Sequence, residues 1–266
     1  MHSPPYCVDV TRIGAGAARA LSAGATGHVV VAFSRATYVR TPRGLVAFTP
    51  PGTHPGPLHA VLAEPIPPLA TGTPVHVDAS CVVMGDVVVM NLVTAERWTG
   101  HHPEPSALRA ARRLACQALA PVVARAALLS EPWAGATEGW LAALADGDLE
   151  RVARLLWGVG PGLTPSGDDA LAGVLLVARL LWGVAAEARL LRCVALDGTS
   201  ELSIAFLLWA ARGQSLAPVH DLLRAAVEGR RGDALQCAHL LAQVGASSGA
   251  DLCLGMQRAL DHLPAM

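Results

Sequence analysis

Gly158-Val159-Gly160-Pro161-Gly162-Leu163-Thr164-Pro165-Ser166-Gly167-Asp168-Asp169 runs straight into an apolar stretch, Ala170 to Ala186, interrupted only by Arg179. Glycines at 158, 160, 162 and 167 let the backbone take positive φ and bring its amides close to a ligand. Pro161 and Pro165 fix φ between them and reduce the conformers lost on ordering. Ser166 stands where a helix N-cap is expected, with Asp168 and Asp169 in the first turn, where acids suit the dipole. The stretch is read as a glycine-rich loop feeding a buried helix. A membrane-spanning helix needs about 20 largely uncharged residues, and the charges at 168, 169 and 179 argue against one. A helix N-terminus offers unpaired N–H groups and a positive dipole end, which suits phosphate or carboxylate. The two aspartates oppose a bare anion unless one is protonated, holds a cation or turns aside.

The pattern recurs near the carboxyl end. Ser248-Gly249-Ala250-Asp251-Leu252-Cys253-Leu254-Gly255 shares Ser-Gly-x-Asp-x-x-x-Gly with Ser166 to Gly173 at identical spacing. Each copy follows a small, polar, glycine-containing approach and opens an apolar helix. In each, the last glycine lies four residues after the aspartate, on the same helix face, where another backbone can pack close. A third start, Thr199-Ser200-Glu201-Leu202-Ser203, has the hydroxyl-rich look of a capped terminus. Helix tips that begin alike are expected to converge on one pocket. Tight-turn capping is the plainer alternative for each taken singly.

Outward from these motifs, the chain changes character near residue 105. Before it, β-branched runs bounded by turn residues predict hairpins: 29–33, 38–40 and 45–48 around Pro42-Arg43-Gly44, then 75–78, 82–84 and 87–90 around Gly85-Asp86. The proline-rich Thr49–Pro68 segment is expected to be a surface loop. After it, helices are expected over about 106–129, 138–145, 149–156, 170–184, 200–212, 218–228, 231–242 and 249–262. The order predicts an α+β fold: a β-rich N-terminal half (1–105) packed against a helix-rich C-terminal half (106–266).

Composition narrows the function. Apolar residues make up 52% of 266 and charged residues 15%, with net charge −1, which excludes disorder and gives no electrostatic reason to expect nucleic acid or membrane partners. There is no lysine, so all 20 basic residues are arginine, and Schiff-base and lysine phosphate clamps are excluded. The polar opening Met1-His2-Ser3-Pro4-Pro5 lacks a signal-peptide pattern, so a cytoplasmic location is expected. The six cysteines form no Cys-x-x-Cys pair and read as buried thiols. His101-His102, His54, His59, His220, His239 and His262 show no paired helical metal-ligand spacing. Trp157 and Trp182 read as core, and no nucleophile elbow, lysine phosphate loop or dinucleotide fingerprint is present.

The run Gly160 to Asp169 resembles the hallmark of a bacterial family whose better-understood members are the AllH subunit of oxamate carbamoyltransferase. The resemblance extends to Thr199–Ser203, to Val244–Asp251 and loosely to the Trp98 region. It departs at Ala246-Ser247, where a bulkier polar pair is expected in close relatives. It implies carbamoyl transfer between carbamoyl phosphate and oxamate, in allantoin (purine) breakdown, alongside two other kinds of subunit. On that reading the loop amides at Gly160, Gly162, Gly167 and Gly249, with Thr164, Ser166, Thr199, Ser200, Ser203, Ser247, Ser248 and Asp251, bind a small anionic substrate. Asp168 or Asp169 orients the attacking amine or takes its proton. Two alternatives stand beside it. One is a non-catalytic anion-binding or scaffolding subunit. The other is a magnesium-dependent phosphotransferase with the Asp168–Asp169 pair as ligands, magnesium being the one cofactor the motif admits.

Overall fold

The computed structural model describes residues 5–130, 132–194 and 197–264. Met1–Pro4, on which part of the leader reading rests, lie outside them. The chain divides into two compact units, one ending at Thr99 and one beginning at Gly100, with strands in the first and helices in the second. The α+β class is what the structure has.

The first unit is a closed barrel. Its elements are β1 (Tyr6–Gly14), α1 (Ala15–Ala20), β2 (Thr26–Phe33), β3 (Ala36–Thr41), β4 (Gly44–Thr49), β5 (His59–Leu62), β6 (Pro74–Val77), β7 (Cys81–Met84), β8 (Val88–Asn91) and β9 (Glu96–Trp98). Neighbours run β5-β4-β3-β2-β6-β7-β8-β1, and β1 returns to β5 through Val10↔Leu62 and Ile13↔Ala60. Eight strands thus close on themselves, which removes the exposed edges an open sheet would carry. β1 serves two neighbours on its other side: Tyr6–Asp9 pairs with β8, and Arg12–Gly14 with β9. Alternate residues fill the interior, among them Val29, Val39, Phe48, Val75, Met84 and Met90, all at 2% exposure or less.

The expected surface loop Thr49–Pro68 is corrected here, because it contains β5, buried along its whole length. A four-residue strand that is covered on both sides shows no alternation, and the surrounding prolines mask it. β1 was hidden for a related reason: its register shifts between Val10 and Arg12, which breaks the period-two pattern.

The second unit carries α2 (Pro105–Val123), α3 (Trp133–Ala136), α4 (Trp140–Ala145), α5 (Leu149–Leu156), α6 (Ser166–Trp182), α7 (Glu187–Arg192), α8 (Glu201–Ala210), α9 (Ala217–Val227), α10 (Arg231–Leu241) and α11 (Ser248–His262). At its centre lies α6, whose residues from Ala170 to Leu181 are all buried. A helix apolar on every face belongs in a core. Among the described residues no helix is long and apolar enough to cross a membrane. α2 stops before the expected end. Beyond Val123 the chain tightens into a single 3-10 turn, Ala127–Leu129, which brings the Leu128 amide to α11. All six cysteines are free, but only Cys193 and Cys253 are buried; Cys7 is exposed and Cys81, Cys116 and Cys237 are half-buried, which corrects the reading of all six as buried thiols.

Candidate functional site

The two Ser-Gly-x-Asp repeats are local expressions of one structural plan. In the first, α5 ends at Leu156 and a loop leads to α6; in the second, α10 ends at Leu241 and a loop leads to α11. A Cβ on Gly167 would lie 1.9 Å from the Leu156 carbonyl oxygen, and one on Gly249 would lie 1.8 Å from that of Leu241. The Gly167 N–H donates to the Val159 carbonyl (2.8 Å), as the Gly249 N–H does to Val244 (3.0 Å). Gly160 and Gly245, each next to one of these valines, both turn the chain with positive φ, +113° and +62°. Only glycine fits such positions at no steric cost.

The repeats meet where α6 crosses α11. A Cβ on Gly173 would lie 2.3 Å from the Leu252 carbonyl oxygen, and one on Gly255 would lie 1.8 Å from that of Ala170. Each helix's glycine therefore admits the other's backbone, the role its spacing after the aspartate predicted. This crossing brings the two helix tips together: the Thr164 and Ser248 hydroxyls are 3.0 Å apart.

The predicted site residues sort into two groups. The first is a clamp on the glycine loop. The Asp168 carboxylate is buried and accepts the Gly158 N–H at 2.8 Å through one oxygen and the Thr199 hydroxyl through the other. Ser200 caps α8, accepting the Ser203 N–H at 3.0 Å. The Ser200 and Ser203 hydroxyls both donate to the Leu163 carbonyl, Ser203 at 3.3 Å. The tip of α8 thus pins the loop from one side. Gly160, Pro161, Gly162 and Leu163 form its outer turn, with Pro161 to Leu163 exposed.

The second group is a carboxyl pair crossed between the copies. Asp169 of the first copy faces the Ser248 hydroxyl of the second, and Thr164. Asp251 of the second faces the Ser166 hydroxyl of the first, and Ser247. Asp251 is fully buried, and its Oδ1 accepts the Leu128 N–H at 3.0 Å. Both Asp169 Oδ2 and Asp251 Oδ2 are shielded from solvent with no hydrogen-bond partner among the described residues. Burial pushes the Asp169 carboxyl well above the usual aspartate range, and the neighbouring charges of Asp251 and Asp168 raise it further. Burial raises Asp251 too, against the opposing pull of the Leu128 N–H.

One sequence reading is corrected: the N-cap of α6 is Pro165, and Ser166 lies inside the first turn, buried. With Asp251 behind it, the Ser166 hydroxyl turns towards the other helix instead of its own amides. The Gly167 and Gly249 amides, read as ligand donors, are spent within their own junctions. The Leu128 amide and Leu163 carbonyl were missed, because backbone groups carry no side-chain signal.

Among the described residues, no three His, Cys, Asp or Glu side chains gather as metal ligands. His220 is buried and stacks on His102, with ring centroids 6.1 Å apart. Its Nδ1 lies 2.9 Å from the His101 carbonyl, and its Nε2 accepts the Ser215 N–H at 3.0 Å. Burial lowers its pKa to about 4, so this histidine is a neutral structural joint.

Residues 156–260 match the family model described as oxamate carbamoyltransferase subunit AllH. The match begins at the end of α5 and runs into α11, so both junctions, the clamp and the crossed carboxyl pair fall inside it. No curated protein and no solved structure matches the chain.

Proposed function

We propose, with the AllH match over residues 156–260 as the premise, that the chain is a carbamoyltransferase subunit whose substrate site is the junction of α6 and α11 beneath the glycine loop. The observation that carries this reading is the Asp169 carboxyl: its Oδ2 is shielded and unpartnered, beside Asp251 and the Thr164–Ser248 hydroxyl pair. A paired carboxyl site repels a bare anion but accepts hydrogen bonds from an amide NH2. Carbamoyl phosphate and oxamate each carry an NH2 group next to an anionic end. The NH2 end is assigned to Asp169, and the anionic end to the Gly160–Leu163 turn and the surrounding hydroxyls.

In the transfer, the oxamate nitrogen attacks the carbamoyl carbon. The carbon–oxygen bond to phosphate breaks with its electron pair, and the attacking nitrogen gives up a proton. Asp169 is assigned as acceptor, since a carboxyl raised from its ordinary range is a better base near neutral pH. Preorganised N–H and O–H donors offset charge developing on the carbonyl oxygen and the departing phosphate. Asp168 positions the loop. Its carboxylate faces Gly158 and Thr199 while that of Asp169 faces Ser248 and Thr164, so the two acids are directed to different partners rather than converging as a magnesium pair, which weighs against the phosphotransferase reading.

In a complex reconstituted with its partner subunits, Asp169→Asn is expected to lower turnover by at least about 100-fold while leaving the chain folded. Full turnover by that variant would overturn the assignment. Retained binding of oxamate and carbamoyl phosphate in the complex, without dependence on Asp169, would favour a scaffolding subunit. The place of the reaction in allantoin breakdown is part of the same proposal and rests only on the resemblance of the Gly160–Asp169 run to that family.

A further inference from the structure

A cavity of about 510 Å³ opens behind the clamp, between the outer face of α5, the end of α7 and the Asp197-Gly198 turn. This volume is within the range of small-molecule sites. Glu150 and Arg154 reach it from α5 at a spacing of four residues, which places them on one helix face, and Trp157 borders it from just beyond the helix end. Arg192 reaches it from the last turn of α7, and Asp197 from the turn. Two arginines and two acidic residues thus line one space. Yet among the described residues none of these four charges forms a salt bridge with another. Arg192 does no more than reach the Ala188 carbonyl of its own helix, at 3.4 Å.

The wall of the cavity is built rather than incidental. The Trp157 indole N–H donates to the Asp197 carbonyl at 2.8 Å. A Cβ on Gly158 would lie 2.8 Å from the Gly198 carbonyl oxygen, and one on Gly198 would lie 3.1 Å from the indole nitrogen. Gly198 also holds φ at +82°, so a side chain there would strain the backbone and crowd the indole. Glycine at this point keeps the turn pressed against Trp157 and leaves the aromatic side chain as a fixed border.

We propose that this cavity is a ligand site, separate from the α6–α11 junction, for a small molecule that joins a carboxylate to an N–H-donating amino or ureido group. The anionic end pairs with Arg154 and Arg192, which suit carboxylates through forked N–H donors. The donor end pairs with Glu150 and Asp197. A simple anion gains from the first pair and is opposed by the second, so the two-ended molecule is favoured over either half.

The test is thermal unfolding of the purified chain with citrulline and N-carbamoylglycine as probes, and with acetate and urea as the half-molecules. Each two-ended probe is expected to give a saturable rise in melting temperature by mass action, and the halves a smaller one at equal concentration. Arg154→Ala combined with Arg192→Ala should weaken the apparent affinity by at least about tenfold. Both arginines lie at the protein surface, and Glu150→Gln gives a second, milder probe of the donor end. Asp169→Asn should leave the shift intact, which separates this site from the proposed catalytic one. The absence of any shift with the two-ended probes overturns the proposal. So does a shift that survives the double arginine change, or one that is lost in Asp169→Asn.

Discussion

The two junctions, α5 to α6 and α10 to α11, share a skeleton and differ in what is added to it. Both bury a glycine against the preceding helix end, turn on a positive-φ glycine and place an aspartate against the other copy's serine. The first copy is three residues longer between its shared landmarks (Leu156 to Gly167 against Leu241 to Gly249), and the extra length forms the exposed turn at Pro161–Leu163. It also has Asp168 where the second has Ala250, and with Asp168 comes the clamp to Gly158 and Thr199. The common skeleton assembles the crossing, and the additions make one copy a candidate binding loop and the other its support. Variants that act on the skeleton should therefore affect both copies alike, and those that act on the additions only one.

The largest effect is expected at the crossing. Alanine normally stabilises a helix interior by about 1 kcal/mol over glycine. At Gly255 the added methyl would meet the Ala170 carbonyl oxygen at 1.8 Å, and at Gly173 that of Leu252 at 2.3 Å. Neither neighbour is a flexible side chain, so overpacking outweighs propensity. Gly255→Ala is expected to cost about 3 kcal/mol and Gly173→Ala somewhat less, measured by denaturant unfolding. A stabilising result at either position would break the equivalence of the two copies.

Next comes the clamp. Asp168→Ala leaves the Gly158 N–H and the Thr199 hydroxyl without their partner, at a cost of about 2 kcal/mol. Asp168→Asn should cost much less, because its amide oxygen can still accept from Gly158 while the hydroxyl reverses to accept from its NH2 group. Equal losses for the two variants would show that charge, rather than hydrogen bonding, holds the loop.

How much of this was legible depended on the kind of signal. Ser166–Gly173 and Ser248–Gly255 declared themselves, because a glycine and an aspartate at fixed helical spacing have few other uses. The α+β order was legible from the shift from β-branched runs to alanine- and leucine-rich ones. Barrel closure was not, since it depends on β5, four residues set among prolines and covered on both faces. Nor was the division between clamp and carboxyl pair: Asp168 and Asp169 are adjacent and chemically identical in the sequence. They diverge because successive residues on a helix point about 100° apart, one towards Gly158 and the other towards Ser248.

A smaller loss is expected in the loop's outer turn. Gly162 has φ +96° and open space around the position of an added Cβ, so Gly162→Ala meets no clash and only backbone strain, about 1 kcal/mol. If the turn binds the anionic end of a substrate, the same variant should impair binding more than stability, a separation that Gly255→Ala should not show.

The carboxyl pair gives the smallest shift, and one of opposite sign. Folding raises the Asp169 pKa, so between the unfolded value of about 4 and the raised native value the folded chain binds more protons than the unfolded one. Stability attributable to this group is then fully present below that range and falls as pH rises through it, becoming constant above the native value. An amide in place of the Asp169 carboxyl would carry no charge to desolvate. Asp169→Asn should therefore raise the melting temperature at neutral pH, with the advantage shrinking as the pH is lowered towards about 4. Asp251→Asn should behave likewise but more weakly, because the Leu128 N–H already favours the ionised form there. Destabilisation by Asp169→Asn at neutral pH would show a carboxylate well satisfied by its hydroxyl neighbours. Asp169 would then belong to the supporting skeleton that both copies share, and the candidate site would lose its base.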